Sequence, residues 1–177
     1  IEEISRIDEI KWIRVLYCYP DRITDGLIEE FKTNDKLLKY IDMPIQHIND
    51  DILSAMNRRD TSAGIKSIID KLRREIPGIV IRTTVIVGFP GETEKQYKEL
   101  RDFIKETKFE RLGVFEYSRE EGTPAYDMPN QVPESVKKKR MEAIMSDQNR
   151  IHNDFNARFV GSELEVLCEG YDEVSES

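Results

Sequence analysis

The chain has 177 residues, enough for one domain with a hydrophobic core and the start of a second. Hydrophobic residues make up 38% and charged residues 35%, which suits a globular protein and argues against a disordered or membrane-embedded chain. The formal net charge of −8 is opposite in sign to that of most nucleic-acid-binding domains. We therefore expect neither a membrane nor a nucleic acid as a direct partner.

Two cysteines and two histidines limit the metal chemistry of the chain. Cys18 and Cys168 are far apart, and neither has a cysteine or histidine at metal-ligand spacing. We expect each to be a buried free thiol in a reducing compartment, which indicates a cytoplasmic protein. Because the chain begins at Ile1 without a methionine, we also expect it to be a piece of a longer protein.

Strand and helix patterns alternate along the first 156 residues. Apolar, β-branched runs predict strands, and apolar residues at helical spacing after capping residues predict helices. The predicted strands cover residues 12–19, 40–45, 80–87 and 111–117. The predicted helices include the end of one over residues 1–11, four that begin near Thr24, Asn49, Thr61 and Thr93, and a long charged one over residues 133–156.

This alternation predicts an α/β fold with parallel strands and right-handed crossovers. The strands form either an arc of an open (β/α) barrel or half of a doubly wound sheet. The pattern changes after residue 156, because residues 160–168 alternate like an antiparallel strand and no basic residue follows Arg158. We therefore predict an α/β domain over residues 1–156 and the first part of a separate β module over residues 157–177.

Residues 80–93 (VIRTTVIVGFPGET) are the centre of the α/β pattern. Their first half is typical of a strand buried on both faces of a parallel sheet. Gly88 and Gly91 allow a tight turn that Pro90 stiffens, and Thr93 then begins a helix with a capping box. Such turns lie at the ligand-binding ends of parallel strands, although a loop that serves packing alone fits the spacing equally well.

Residues 44–47 (PIQH), 82–93 (RTTVIVGFPGET) and 112–124 (LGVFEYSREEGTP) carry the most specific motifs in the chain. Together they resemble the radical S-adenosylmethionine (SAM) methylthiotransferases, and the likeness runs from residue 12 to residue 170. The resemblance implies the distal part of an open (β/α) partial TIM barrel, followed by the first strand of a TRAM-like β-barrel. It also implies SAM and two [4Fe-4S] clusters as cofactors.

Other residues resemble one branch of that family. Residues 12–21 (WIRVLYCYPD), His47 and Arg82 look like RimO, the branch that modifies a ribosomal protein. MiaB, the tRNA-modifying branch, typically has Gln-Ser-Gly where this chain has Gln46-His47. The resemblance implies transfer of a methylthio group to the β-carbon of an aspartate in a small-subunit ribosomal protein. The cysteine ligands of both clusters are absent from the sequence, so we expect this piece alone to be inactive and to hold no metal.

The resemblance also implies roles for particular residues. It predicts a cofactor-binding set of Gln46, Arg82, Gly88, Phe89, Pro90, Gly91 and Tyr117. It predicts that His47 and Ser118 contact the substrate, and it names no catalytic residue. Structural alternatives remain open: a packed loop histidine at position 47, and a pair between Arg82 and Asp42 or Glu116. Glu92 either accepts backbone hydrogen bonds or stays solvated.

The acidic C-terminal stretch fits a basic ribosomal protein as partner, and we expect a monomer. Two other functions remain possible from sequence. One is a tRNA adenosine methylthiotransferase, and the other is a non-catalytic α/β module that binds a nucleotide at the glycine turn. A three-cysteine loop upstream of residue 1 would exclude the second of these.

Overall fold

The computed structural model describes residues 1–168, which form a parallel β-sheet and the helices that cover one of its faces. The four strands are β1 (Ile13–Val15), β2 (Leu37–Asp42), β3 (Val80–Val87) and β4 (Arg111–Glu116). The helices are α1 (Glu2–Ser5), α2 (Asp25–Thr33), α3 (Asp50–Ala55), α4 (Ser62–Glu75), α5 (Glu94–Thr107) and α6 (Glu134–Ala157), with 3₁₀ turns at Pro20–Arg22 and Pro124–Tyr126.

The strands lie side by side in sequence order, and every pair is parallel. A doubly wound sheet reverses its strand order at a switch point, whereas a barrel keeps adding strands in one direction. The observed order confirms the predicted α/β class and favours the open-barrel alternative.

Strand β3 is buried on one face only, which corrects the prediction of burial on both. Its residues alternate, with Ile81, Thr83, Val85 and Val87 buried and the residues between them half-exposed. The buried side faces a core that contains Phe31 and the apolar sides of α2, α4, α5 and α6. The other face is the inner wall of the open barrel, and the end of α6, at Phe155 and Asn156, borders its amino-terminal part.

Local capping explains where α4 and α5 start. At the start of α4, Oγ1 of Thr61 accepts a hydrogen bond from the Gly64 amide at 3.1 Å. Thr93 and Gln96 form the predicted capping box at the start of α5. Each box or cap satisfies amides that have no partner within the helix.

The N-terminal elements are shorter than predicted. Helix α1 ends at Ser5, because Ile4 and Ile7 are exposed and have no core to pack against. Strand β1 has three residues in place of the predicted span 12–19. Its register shifts between Ile13 and Val15, and Tyr17 has a left-handed backbone (φ 59°) that cannot continue a strand.

The strand predicted over residues 160–168 does not form. Residues 162–168 have neither helix nor strand geometry, and Val160, Val166 and Leu167 are exposed. Within residues 1–168 this segment has no neighbouring strand to pair with its backbone groups. Alternation of apolar and polar residues is therefore not enough to form a strand here. The rest of the predicted β module, residues 169–177, lies outside the described residues, and the division of the chain at residue 157 stays a prediction.

Helix α6 lies against the end of β3 at very short range. Gly88, directly after β3, has φ 76°, and a Cβ placed on it would lie 2.3 Å from Cγ of Lys137. The Lys137 side chain is 2% exposed and donates to the Tyr117 carbonyl.

Within residues 1–168, no helix, α6 included, has both the length and the apolar character needed to cross a bilayer.

Replacing Gly88 by alanine should therefore destabilise the fold more than the same change at Gly78. Both glycines have positive φ, but a Cβ on Gly78 meets nothing within 4 Å. The two variants share the backbone strain, while only Gly88→Ala adds an overlap with buried Lys137. We expect Gly88→Ala to lose about 1–3 kcal/mol more than Gly78→Ala in urea unfolding. Equal losses would contradict the close approach of α6.

Candidate functional site

A cavity of about 340 Å³ opens on the inner face of the sheet at the carboxyl ends of the strands. This volume is at the lower end of the range for small-molecule pockets. Its walls come from the loops after β1 and β2 and from the inward faces of β3 and β4: Tyr17, Cys18, Tyr19, Pro44, Gln46, Arg58, Arg82, Thr84 and Phe115. Parallel strands bring their carboxyl ends to one edge, so these four parts of the chain meet there, and Arg58, from the loop after α3, joins them as a fifth.

Gln46 reaches the cavity from a strained loop. It has φ 66°, and the His47 amide donates to the Ile45 carbonyl at 2.8 Å, which makes Gln46 the centre of a γ-turn. A non-glycine residue in this region costs about 1–3 kcal/mol and is commonest at functional sites. The buried Oε1 of Gln46 has no hydrogen-bond partner among the described residues. The wall of the cavity thus contains an unsatisfied hydrogen-bond acceptor.

Arg82 contributes positive charge to the same wall. Its Nη1 donates to Oδ2 of Asp42 at 2.7 Å, so the predicted structural pair with Asp42 is formed. Asp42 is 1% exposed, whereas the Arg82 side chain is 38% exposed and lines the cavity. The pair therefore fixes the guanidinium while leaving donors accessible for an anionic group.

Cys18 lines the cavity as a half-buried thiol. Burial, and after it the negative charge of Asp42, raises the pKa of the Cys18 thiol. The protonated thiol is a poor nucleophile and a poor metal ligand. Among residues 1–168, no group of three or more histidine, cysteine, aspartate or glutamate residues could hold a metal ion. An iron–sulfur cluster, which needs several thiolates, does not fit this part of the chain.

The glycine bend after β3 lies beside the cavity rather than in its wall. Gly88, Phe89 and Pro90 are buried, and the Gly91 amide donates to the Asn130 carbonyl at 2.9 Å. The Phe89 ring packs edge-on against Tyr117, with centroids 5.3 Å apart. The predicted turn is confirmed, but its contacts are with α6 and the loop before it.

A buried carboxylate joins this bend to its neighbours. The Glu92 side chain is 0% exposed and accepts hydrogen bonds from the Gly88 amide, from Arg140 Nη1 at 2.7 Å and from His47 Nε2 at 3.2 Å. Of the two alternatives for Glu92, the structure confirms the backbone-bonded one. One charge therefore connects α6 to the loops that follow β2 and β3.

A family model described as the radical SAM superfamily matches residues 1–104, more than half of the chain. The chain belongs to the radical SAM superfamily. Its fold is also similar to solved structures. Coproporphyrinogen III oxidase (HemN) from Escherichia coli superposes with a TM-score of 0.58 at 17% identity, over 85% of this chain and 32% of that one. The archaeal Elp3 of Methanocaldococcus infernus gives 0.54 at 15% identity, over 80% and 32%.

Curated relatives of this radical SAM chain are much closer in sequence. It is 53% identical to the "Ribosomal protein uS12 methylthiotransferase RimO" of Caldanaerobacter subterraneus subsp. tengcongensis, over 98% of this chain and 39% of the relative. It is 52% identical to the protein of the same name from Geobacter sulfurreducens, over 99% and 39%. The chain thus spans about two fifths of the length of the curated relatives it matches.

The structure separates the predicted site residues of this radical SAM chain into two groups. Gln46 and Arg82 meet in the cavity. His47 is fully buried beneath it, where the structure favours the packed-loop alternative over contact with a substrate. Tyr117 packs beside the glycine bend with its hydroxyl buried and unpaired within the described part of the chain, and exposed Ser118 bonds Glu120 at 2.6 Å.

Sequence reasoning missed several residues of the cavity wall. Thr84 could have been found, because it lies two positions after Arg82 and strand residues two apart share a face. No local sequence pattern marks Arg58 as a residue of the cavity wall. The chain folds back after α3, and Arg58 then donates to the Pro44 carbonyl at 2.9 Å, pairs with Asp60 at 2.7 Å and stacks on Tyr19.

The raised pKa of Cys18 predicts a pH dependence. The thiolate is the reactive form, so alkylation of Cys18 by iodoacetamide should reach half its limiting rate at a higher pH than that of a small free thiol, which titrates at about 8.5. The Cys168→Ser variant isolates Cys18 for this measurement by mass spectrometry, with a cysteine peptide as reference. A midpoint at or below that of the peptide would contradict the burial and the charge placed beside Cys18.

Proposed function

We propose that this chain is the distal barrel segment of a methylthiotransferase that modifies an aspartate β-carbon in the small-subunit ribosomal protein uS12. The observation that carries the proposal is identity of 52–53% to RimO proteins across 98–99% of the chain. Ribosomal substrates also favour a cytoplasmic location. The alternative of a non-catalytic nucleotide-binding module loses its support, because the chain belongs to the radical SAM superfamily.

We infer that the cavity at the strand ends receives SAM. Its polar groups suit that molecule, since Arg82 can bind the methionine carboxylate and the unpaired Gln46 Oε1 can accept from an ammonium or a ribose hydroxyl. Bound SAM supplies a 5′-deoxyadenosyl radical on reductive cleavage. Exposed aromatic side chains on the rim, Phe115 and Tyr19, offer apolar surface against which the bound cofactor can pack.

This assignment gives the chain a positioning role. We propose that residues outside it bind two [4Fe-4S] clusters, and that the chain orients the cofactor and closes the side of the barrel. Direct contact between the bend at Gly88–Gly91 and the cofactor stays a prediction, as does contact of Ser118 with the substrate. A monomer also remains our expectation.

Complementation tests the function and the role of Arg82 together. Deletion of the gene should remove the methylthio group from uS12 in intact-protein mass spectra, and the full-length gene should restore it. The Arg82→Ala variant should fail to restore it, since loss of one charge-assisted bond to the cofactor costs about 10- to 100-fold. Arg82→Ala also leaves Asp42 buried and unpaired, at about 3–5 kcal/mol.

The double variant Arg82→Ala/Asp42→Asn is the matched control. It removes the unpaired charge, so the free energy of unfolding should recover while uS12 stays unmodified. Recovery of both would show that Arg82 acts only through the fold. Loss of methylthio from tRNA in the deletion strain, with uS12 still modified, would replace the proposal with the tRNA activity.

A further inference from the structure

The γ-turn at Gln46 needs something to hold it, because its backbone angle is unfavourable for a side chain. Part of the constraint comes from β3. The Gln46 amide donates to the Thr84 carbonyl at 2.9 Å, and the Ile86 amide donates to the Gln46 carbonyl at 2.8 Å. These bonds, with the turn bond from the His47 amide to the Ile45 carbonyl, hold the backbone on the β3 side, and the His47 side chain supplies a further anchor on the C-terminal side of the turn.

The His47 ring is held on both sides. The Asn49 amide donates to Nδ1 at 2.9 Å, and a backbone amide can only donate, so Nδ1 is the acceptor. The ring proton therefore lies on Nε2, which is 3.2 Å from Oε1 of Glu92. The tautomer follows from these partners, and it makes Glu92 the acceptor that orients the ring.

Glu92 is itself fixed, which makes it a firm anchor. Arg140 reaches it from α6 and bonds both its carboxylate and, at 3.2 Å, its backbone carbonyl. The Gly88 amide donates to the same carboxylate oxygen as Arg140, Oε2, while His47 contacts Oε1. A rigid chain of contacts thus leads from α6 through Glu92 and His47 to the turn at Gln46.

We propose that His47 is a positioning residue. Its Nε2–H bond to Glu92 holds the γ-turn and thereby aims the side-chain amide of Gln46 into the cavity. The inference rests on the proposed binding of SAM there. It assigns His47 no contact with cofactor or substrate, in agreement with its complete burial. Its effect is on the orientation of Gln46, and the bond to Glu92 carries that effect.

Two substitutions separate the two bonds of the ring. In the His47→Gln variant the side-chain amide can replace Nε2 and donate to Glu92, but the bond from Asn49 is lost. In the His47→Asn variant the side-chain oxygen can replace Nδ1 and accept from Asn49, but the bond to Glu92 is lost. Each variant loses one hydrogen bond. The chain's other histidine, His152, lies on α6, and the His152→Gln variant is the control for loss of an imidazole.

The full-length protein is measured in two ways. Amide hydrogen exchange resolved at residue 47, without SAM, reports the γ-turn, and equilibrium dialysis with SAM reports binding. For His47→Asn we expect faster exchange and a dissociation constant raised by about tenfold, the effect of one lost bond to a charged group. For His47→Gln and His152→Gln we expect both values within about threefold of the parent protein, because the bond to Glu92 is kept.

Each outcome has one meaning. Equal exchange at residue 47 in the Asn and Gln variants would overturn the positioning role. Faster exchange in the Asn variant with unchanged SAM affinity would leave the role of His47 in the turn intact and overturn the placement of SAM in this cavity.

Discussion

The hydrogen bonds and ion pair of the buried Glu92 carboxylate are the interactions on which the carboxyl-terminal edge of the sheet depends. The carboxylate accepts hydrogen bonds from the bend after β3, from the loop after β2 and from α6, and Arg140 balances its charge. A buried charge without a partner is very costly, so these three segments are stable only together. The glycine motif thus gains its shape from a carboxylate four residues beyond its first glycine.

The inner face of the sheet carries the opposite charge to the chain as a whole. The chain has a net charge of −8, yet Arg14, Arg82 and Arg111 line this face. Arg82 is shared by the cavity at the carboxyl ends of the strands and by a second, of about 680 Å³, at their amino ends. Such local charge favours an anionic group inside the barrel.

Sequence reasoning worked where local chemistry decides structure. The capping box at Thr93, the turn at Gly88 and the length of α6 all depend on residues close in sequence. It failed where distant segments decide. The γ-turn at Gln46 is held by β3 and Glu92, and the alternation at residues 160–168 forms no strand without a neighbour. The motifs predicted the family, but the packing of His47 required the positions of Glu92 and Arg140.

A double-mutant cycle on the free energy of unfolding tests the central role of Glu92 most directly. Arg140→Met leaves the carboxylate buried without its cation and should cost about 3–5 kcal/mol, whereas Arg150→Met, at a mostly exposed arginine on the same helix, should cost at most about 1 kcal/mol. Adding Glu92→Gln to Arg140→Met should recover part of the loss, with a coupling energy of about 2 kcal/mol. Losses that add to within about 0.5 kcal/mol would contradict the account.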